Sequence, residues 1–321
     1  MMPIPMTQMT PFVERLLAGN RNIKKNTALN YARMLIRIIK FSHETWEDDT
    51  ISDKILEMVR ANQINPFLAS VPMSVGNTAL TAVIVALSPN KRYEWVENTL
   101  IEPTFISVGD ILSKQLAERH KQYYKELEKQ QKTPAQDKNW VDFEVLVAIR
   151  KKLKKEHLLY PKKKEILQKY LVACLYTLLP PRRLEYASMM KISRTDYKTI
   201  DKEKNYIVGN KKMFFHFGDY KTFKKYGVQR IRIPKEIATI IRKIQNENIL
   251  TTQKGKVMTK NYLTKFIQKT FQDTGKKISA TMLRHIYLSN TFKNDATLEN
   301  KKLLAAAMGH STAQQDFYTK H

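Results

Sequence analysis

The chain has few of the features that mark secreted or membrane-spanning proteins. It contains one cysteine, Cys174, so a disulfide framework is excluded and a reducing compartment is expected. Cys174 lies in an apolar helical run and is predicted to be a small core residue. The longest apolar run, residues 79–87, is far too short to span a bilayer. The N-terminal residues lack the basic and apolar regions of a secretory signal. We therefore expect a soluble intracellular protein.

Acidic residues are scarce beside basic ones. There are 30 Asp and Glu against 56 Lys and Arg, which gives a net charge of +26. Residues 1–137 hold 17 basic and 15 acidic side chains, whereas residues 138–321 hold 39 and 15. A basic half beside a near-neutral one predicts a polyanionic partner, and nucleic acid fits best because each neutralised phosphate releases a counterion. A solvated basic surface that only keeps the protein soluble is the alternative.

Hydrophobic periodicity indicates a helical first half. Three prolines, Pro3, Pro5 and Pro11, predict an irregular first dozen residues. A polar segment that contains Pro134 and no apolar periodicity predicts a linker over residues 131–139, between a domain of residues 1–130 and a second of residues 140–321. Apolar spacing predicts helices over residues 26–42, 51–61, 74–88 and 107–131.

The second half mixes helices with a strand-rich stretch. Helices are predicted at its start and again from residue 237 to the end. Between them, β-branched and aromatic residues predict three strands, with a turn at residues 224–227. The expected fold class is therefore mainly α, with a helical N-terminal domain and a mixed α/β domain that contains a small antiparallel sheet. The predicted helices and strands here cover residues 141–155, 163–179, 205–209, 212–220 and 228–234.

Two motifs in the basic half could bind phosphate. Two prolines end a predicted helix before Arg182 and Arg183, which we expect to begin the next helix. Arginines at a helix N-terminus favour a phosphate, although two surface arginines are an equal alternative. Lys221 lies on the predicted hairpin connection. There a lysine can enter a DNA groove or protonate a leaving oxygen, but lysines in turns are also common.

Two further motifs lie near the C-terminal end. Arg284 interrupts an apolar helical run, and a buried arginine needs an anionic partner. A salt bridge to a structural carboxylate is the alternative to a ligand. The sequence Gly309-His310 follows, and then Tyr318, the only tyrosine after His310.

Taken in order, these residues resemble the catalytic set of tyrosine recombinases, the phage-integrase-like family whose catalytic set also underlies type IB topoisomerases. Arg182-x-x-Glu185 resembles its first box, and Lys221-Thr222 its hairpin lysine. The sequence around Arg284 resembles the second box, and Gly309-His310 before Tyr318 resembles the third box and the nucleophile. Residues 26–42 loosely resemble the family's core-binding domain. The sequences of residues 180–183 and 283–289, around Arg182 and Arg284, are similar to those of recombinases of large DNA viruses and their satellite viruses.

The resemblance implies site-specific recombination or integration. Tyr318 would attack a DNA phosphate and form a 3′-phosphotyrosyl link, without a metal or other cofactor. Arg182 and Arg284 would bind phosphate oxygens, His310 would donate a hydrogen bond to a non-bridging oxygen, and Lys221 would protonate the departing 5′ oxygen. The sequence shows no carboxylate cluster and no His or Cys spacing of the kind used by metal sites.

The expected partner is double-stranded DNA, gripped by the two domains as a C-shaped clamp. The family implies a tetramer on two DNA sites and a monomer or dimer without DNA, with no membrane partner. The protein would act where the DNA is, in a host cytoplasm, nucleus or viral factory, or packaged in a virion.

Three departures keep alternatives open. Thr281 stands where the family usually has His or Lys, so proton removal from Tyr318 must rely on other groups. The interval from His310 to Tyr318 is one residue shorter than usual. The sequence ends at His321, where many relatives continue into a helix that docks on a neighbouring subunit, so that exchange is expected to be missing or replaced. A topoisomerase-like relaxing enzyme and a non-catalytic DNA-binding relative are the alternatives.

Overall fold

The computed structural model describes residues 10–44, 51–89, 100–101, 106–294 and 297–320. It is mainly helical with one small four-stranded sheet, which confirms the predicted fold class. Two compact units divide the chain, Met1–Leu127 and Glu128–His321. The C-shaped clamp remains a prediction. No helix within the described residues is long and apolar enough to cross a membrane.

The first unit is built from amphipathic helices around one nearly apolar helix. Helix α5 (Met73–Leu87) is buried almost all round because small residues such as Ala79 and Ala82 let the helices α2 (Lys25–Phe41), α3 (Ile51–Arg60) and α4 (Ile64–Ser70) pack closely against it. The prediction of irregular structure was wrong for residues 10–12, which lie in helix α1 (Thr10–Ala18) with Pro11 in its first turn, where a proline is tolerated. The rest of that prediction, residues 1–9, lies outside the described residues. The elements are α1 (Thr10–Ala18), α2 (Lys25–Phe41), α3 (Ile51–Arg60), α4 (Ile64–Ser70), α5 (Met73–Leu87), the short strands β1 (Leu100–Ile101) and β2 (Ile106–Ser107), and α6 (Val108–Glu128).

The second unit surrounds helix α9, which is buried over most of its length and includes Cys174, a core residue as predicted. The elements are α7 (Pro134–Lys138), α8 (Phe143–Leu159), α9 (Lys164–Thr177), β3 (Met190–Ile192), β4 (Asn205–Val208), β5 (Phe214–Phe217), α10 (Phe223–Tyr226), β6 (Gln229–Arg232), α11 (Lys235–Lys243), α12 (Lys260–Thr270), α13 (Ala280–Asn294), α14 (Leu298–Met308) and α15 (Thr312–Tyr318).

The sheet has the order β3-β4-β5-β6. Its last three strands are the predicted ones and pair antiparallel, whereas β3 was not predicted and pairs parallel to β4. Aromatic side chains pack together at the sheet. The centre of the Tyr186 ring lies 5.5 Å from the centre of the Phe215 ring and 5.8 Å from that of the Phe217 ring. This aromatic layer supports the loop that carries Arg182.

One buried amide joins the loop after α9 to the β5–β6 connection. The Asn205 side chain donates hydrogen bonds to the carbonyls of Glu185 (3.2 Å) and Asp219 (2.9 Å). Its oxygen accepts from the backbone N–H groups of Gly218 (3.0 Å) and Asp219 (2.9 Å). All four hydrogen-bonding positions of the amide are used, so Asn205 fixes the separation of two segments that carry predicted site residues.

Replacing this amide should destabilise the second unit. We expect Asn205→Ala to lower the free energy of unfolding by about 3 kcal/mol, because buried backbone groups lose their partners. Chemical denaturation measures the change. The exposed Asn210 provides a matched control, and Asn210→Ala should stay within about 0.5 kcal/mol of the parent protein. Equal effects of the two substitutions would show that Asn205 does not join the segments.

Candidate active site

Arg182 and Arg183 lie in a turn between α9 and β3, not at the start of a helix, so that prediction was wrong. The turn is held by two contacts to its main chain. The Tyr176 hydroxyl donates to the Arg183 carbonyl, and Nη1 of Arg284 donates to the Pro181 carbonyl at 2.8 Å. Tertiary contacts, rather than a helix N-terminus, therefore orient the two arginines.

The Arg182 side chain is almost fully buried, with 1% of its surface exposed. Its guanidinium carbon lies 3.7 Å from the centre of the Phe217 ring and 5.3 Å from that of Tyr220. Its Nη2 donates to the Gln229 side chain, while Nε and Nη1 have no acceptor among the described residues. Burial lowers the pKa of Arg182, but a guanidinium stays charged in proteins.

Arg284 is fully buried on α13. Its Nη1 donates to the carbonyls of Pro181 and Met308 (3.4 Å), whereas Nε and Nη2 lack acceptors in the described part of the chain. Neither Arg284 nor Arg182 forms a salt bridge with a described acidic residue, and Oε2 of the buried Glu185 is itself without a partner. The alternative, a salt bridge to a structural carboxylate, is therefore not seen among the described residues, although the charge of the buried Glu185 acts on both arginines.

Gly309 and His310 form the turn between α14 and α15. Gly309 ends α14 with a φ of 68°, and a side chain there would lie 3.2 Å from Nη1 of Arg182 and 3.2 Å from the Tyr220 ring. The missing side chain lets Arg182 approach this turn. Nδ1 of His310 lies 2.9 Å from the Ser311 carbonyl, which can only accept, so Nδ1 carries the proton.

The other ring nitrogen of His310 is the chemically available one. Nε2 is buried and has no hydrogen-bond partner among the described residues. Burial, followed by the charges of Arg284, Arg183 and Arg182, lowers the pKa of His310 to about 4 despite the bond to Ser311. The ring is thus neutral at pH 7, with an unshared electron pair on Nε2.

Tyr318 is the last residue of α15 and is 9% exposed. The guanidinium carbon of Arg284 lies 4.6 Å from the centre of its ring, and the His310 ring centre lies 5.4 Å away. Burial raises the pKa of Tyr318, but the charges of Arg284 and Arg183, together with polar interactions of their side chains with the phenol oxygen, outweigh burial, so the pKa falls below its ordinary value. The surroundings therefore favour the phenolate.

Lys221 lies beside this cluster rather than in it. It is exposed on the β5–β6 connection, between Tyr220 and Thr222. The Thr222 hydroxyl donates to the Gly309 carbonyl at 2.7 Å, and the Tyr220 hydroxyl donates to the Gly227 carbonyl at 2.7 Å. The structure thus brings Arg182, Arg284, His310 and Tyr318 together and anchors the Lys221 turn next to them.

Sequence reasoning missed two side chains of this cluster. Arg183, next to the chosen Arg182, is one of the two arginines whose charges act on Tyr318. His285 follows Arg284, and its ring centre lies 4.9 Å from that of Tyr318. The adjacent Arg-Arg and Arg-His pairs were the available signals. Thr281 is exposed on α13, one turn before this buried pair.

Protein-family models and curated proteins gave no match. Solved structures that match include XerA recombinase, with 9% identity, a TM-score of 0.39, and coverage of 98% of this chain and 93% of that chain. The XerH site-specific recombinase bound to palindromic difH substrate, a post-cleavage complex, has 15% identity, a TM-score of 0.49, and coverage of 93% and 77%. The Tn1549 transposon integrase in complex with transposon right end DNA has 15% identity, a TM-score of 0.45, and coverage of 98% and 95%. Likenesses this distant carry no argument about the reaction, so function must follow from the side chains.

Two of the buried histidines, His285 and His310 beside Tyr318, should make the fold sensitive to acid. Each has a pKa of about 4 in the folded protein, against 6.5 for an unperturbed histidine. Between these values the unfolded chain binds more protons, so the free energy of unfolding should fall as the pH drops from 6.5 to 4, by on the order of 3 kcal/mol per residue. Urea denaturation across this range measures the slope.

A double variant, His285→Asn with His310→Asn, should flatten that slope because asparagine does not titrate. His157 and His216, whose pKa values are also lowered by burial, contribute equally to both proteins. His43→Asn is the control at an exposed position and should leave the slope unchanged. A double variant with the parent slope would contradict the neutral state of the two rings.

Proposed function

We propose that this chain is a site-specific DNA recombinase or integrase that cleaves and rejoins DNA strands through a 3′-phosphotyrosyl intermediate on Tyr318. One observation carries the proposal. Arg182 and Arg284 are buried cations, each with two guanidinium nitrogens that lack an acceptor among the described residues, and Arg284 lies against a tyrosine whose pKa is lowered. Leaving such nitrogens unpaired is costly, and a phosphodiester would supply the missing acceptors.

In the proposed reaction the scissile phosphate binds between the two arginines. Guanidinium groups match phosphate oxygens in bidentate geometry and stabilise the extra charge of the pentacoordinate transition state. Arg183 assists by lowering the cost of the Tyr318 phenolate. The phenolic oxygen then bonds to phosphorus while the bond from phosphorus to the 5′ oxygen breaks.

His310 takes the proton of Tyr318 in this scheme. Its Nδ1 proton is already donated to Ser311, so the neutral ring offers Nε2 as an acceptor. After accepting the proton, Nε2–H can donate a hydrogen bond to a non-bridging phosphate oxygen, which is the role expected from the sequence. One group thus performs both steps, and the exposed Thr281 is not needed as a base.

Lys221 supplies a proton to the departing 5′ oxygen. The side chain is exposed, and its turn is anchored at Gly309 through Thr222, next to His310. Rejoining reverses the steps, with the 5′ hydroxyl attacking the phosphotyrosine and Tyr318 recovering its proton. The proposed chemistry needs no metal or other cofactor.

The proposed substrate is double-stranded DNA, supported by the basic excess in residues 138–321. We further infer a core-binding domain over residues 1–130, a linker over 131–139, a catalytic domain over 140–321 and a DNA clamp. A tetramer on two DNA sites would perform the exchange. We propose more specifically that the reaction integrates a viral genome, inside a host cell or viral factory. This proposal rests on the similarity of the sequences around Arg182 and Arg284 to those of viral recombinases.

Tyr318→Phe should abolish the covalent protein–DNA complex while leaving DNA affinity almost unchanged. Only the nucleophilic hydroxyl is lost, whereas affinity comes mainly from basic side chains spread over the surface. Incubation with a nicked suicide duplex of a candidate target site, followed by denaturing electrophoresis, detects the adduct.

Tyr287→Phe is the matched control. Tyr287 lies on α13, and its ring packs edge-to-face with that of Phe143, with 5.7 Å between the ring centres. Its hydroxyl should not matter for the chemistry. An adduct formed by Tyr318→Phe but not by Tyr287→Phe would overturn the assignment. No adduct from the parent protein would favour a non-catalytic DNA-binding role. Relaxation of supercoils by a monomer, without joining of two sites, would instead favour a topoisomerase-like enzyme.

Arg284→Ala should slow adduct formation by a factor on the order of 10² or more, because it removes charge at the scissile phosphate. DNA affinity should fall only modestly. Arg194→Ala removes the same charge from an exposed position and should leave the single-turnover rate near that of the parent. Similar rates for the two variants would place the phosphate away from Arg284.

A further inference from the structure

A chain of hydrogen bonds runs from the segment predicted as the linker to the main chain of Tyr318. At its start, Thr133 caps helix α7 in a capping box. The Thr133 backbone N–H donates to Oε1 of Gln136 at 2.8 Å, and the Thr133 hydroxyl accepts from the Gln136 backbone N–H at 3.2 Å. These bonds leave the Gln136 side-chain NH₂ pointing away from the cap as a donor.

The next bond crosses 149 residues of sequence. Nε2 of Gln136 lies 3.0 Å from Nε2 of His285, and Nδ1 of His285 lies 2.8 Å from the Tyr318 carbonyl. A carbonyl only accepts, so Nδ1 carries the proton and Nε2 accepts from the Gln136 amide. Every donor in the chain therefore has an acceptor, and the direction of the chain selects one tautomer of His285.

A second bond from the same helix holds the next peptide group. The Lys320 backbone N–H donates to the Ser289 hydroxyl at 2.7 Å, one helical turn along α13 from His285. His285 thus binds the carbonyl of the peptide that joins Tyr318 to Thr319. Ser289 binds the N–H of the following peptide, which joins Thr319 to Lys320. Chain ends are poorly ordered unless they are tied down. Tyr318 is the last residue of α15, so these bonds fix the place where its helix ends.

We propose that Gln136 and His285 are positioning residues for Tyr318, in which the Gln136 amide keeps His285 in the Nδ1–H form that holds the Tyr318 carbonyl. The inference rests on the proposed function insofar as Tyr318 is the nucleophile. It adds that the orientation of the nucleophile depends on residues 133–136, far away in sequence. The alternative is that His285 is only a packed core residue, whose tautomer has no bearing on Tyr318.

Nitrogen NMR of the DNA-free protein labelled at histidine tests the first link. In the parent protein His285 should be protonated at Nδ1 and unprotonated at Nε2. Gln136→Ala removes the donor to Nε2, so the Nε2–H tautomer should become populated. Gln272→Ala, at an exposed position of the same unit, should leave the parent tautomer in place. Parent protein with the proton on Nε2 would overturn the proposal.

Amide hydrogen exchange tests the second link. Gln136→Ala should speed exchange at Thr319 and Lys320 by about tenfold, as expected for loss of one hydrogen bond, with global unfolding unchanged. His285→Asn should keep exchange slow, because its side-chain amide can replace the Nδ1–H donor. His285→Ala should not. If His285→Ala fails to fold, Gln136→Ala and His285→Asn still decide the point. Unchanged exchange in Gln136→Ala would refute the positioning role.

Cleavage of the suicide duplex links the positioning role to catalysis. Gln136→Ala should lower the single-turnover rate about tenfold at unchanged DNA affinity. Gln136→Glu should restore the rate, because its carboxylate would favour a doubly protonated His285 that still donates from Nδ1. A glutamine that only caps α7 would also be rescued by Glu, so the tautomer of His285 in Gln136→Ala separates the two roles, because loss of the cap alone leaves the proton on Nδ1. If the parent protein forms no adduct, the proposed function fails, whereas the tautomer and exchange results still decide the positioning role.

Discussion

The burial of two guanidinium groups is the constraint on which the second unit depends. Removing a cation from water costs several kcal/mol unless it gains partners. The fold offers partial compensation, with the Phe217 and Tyr220 rings beside Arg182 and the carbonyls of Pro181 and Met308 for Arg284. Compensation stops short of neutralisation, and two nitrogens of each arginine lack acceptors among the described residues. A site left in this state favours an anionic ligand over water.

Contacts between remote segments keep these arginines in register. Arg284 itself holds the turn that carries Arg182, through the Pro181 carbonyl, and Thr222 ties the Lys221 turn to Gly309. Asn205 sets the spacing between the loop that carries Arg182 and the β5–β6 connection that carries Lys221. The positions of the candidate site residues therefore depend on one another through bonds to main-chain carbonyls, and displacement of one segment would shift the others.

Two buried histidines flank Tyr318 in the same protonation state but in opposite roles. Both rings are neutral and carry their proton on Nδ1, since each Nδ1 faces a carbonyl oxygen. His285 spends its Nε2 on the Gln136 amide, so it has no capacity left for proton transfer. Nε2 of His310 has no hydrogen-bond partner among the described residues and remains available. Hydrogen bonding at the remote nitrogen thus separates a ring that positions the tyrosine from one that can accept its proton.

The mainly helical fold, the three antiparallel strands and the residue types at the candidate site could be predicted from the sequence, because periodicity and residue order are local or linear properties of the chain. The sequence did not show β3, whose three residues are too few for a pattern, or the turn at Arg182, where tertiary contacts replaced the expected helix. Three properties emerged only from the folded protein: neither arginine forms a salt bridge with a described carboxylate, Arg183 and His285 join the cluster, and each histidine adopts one tautomer. These properties depend on contacts such as Gln136 with His285, 149 residues apart, which leave no local signature in the chain.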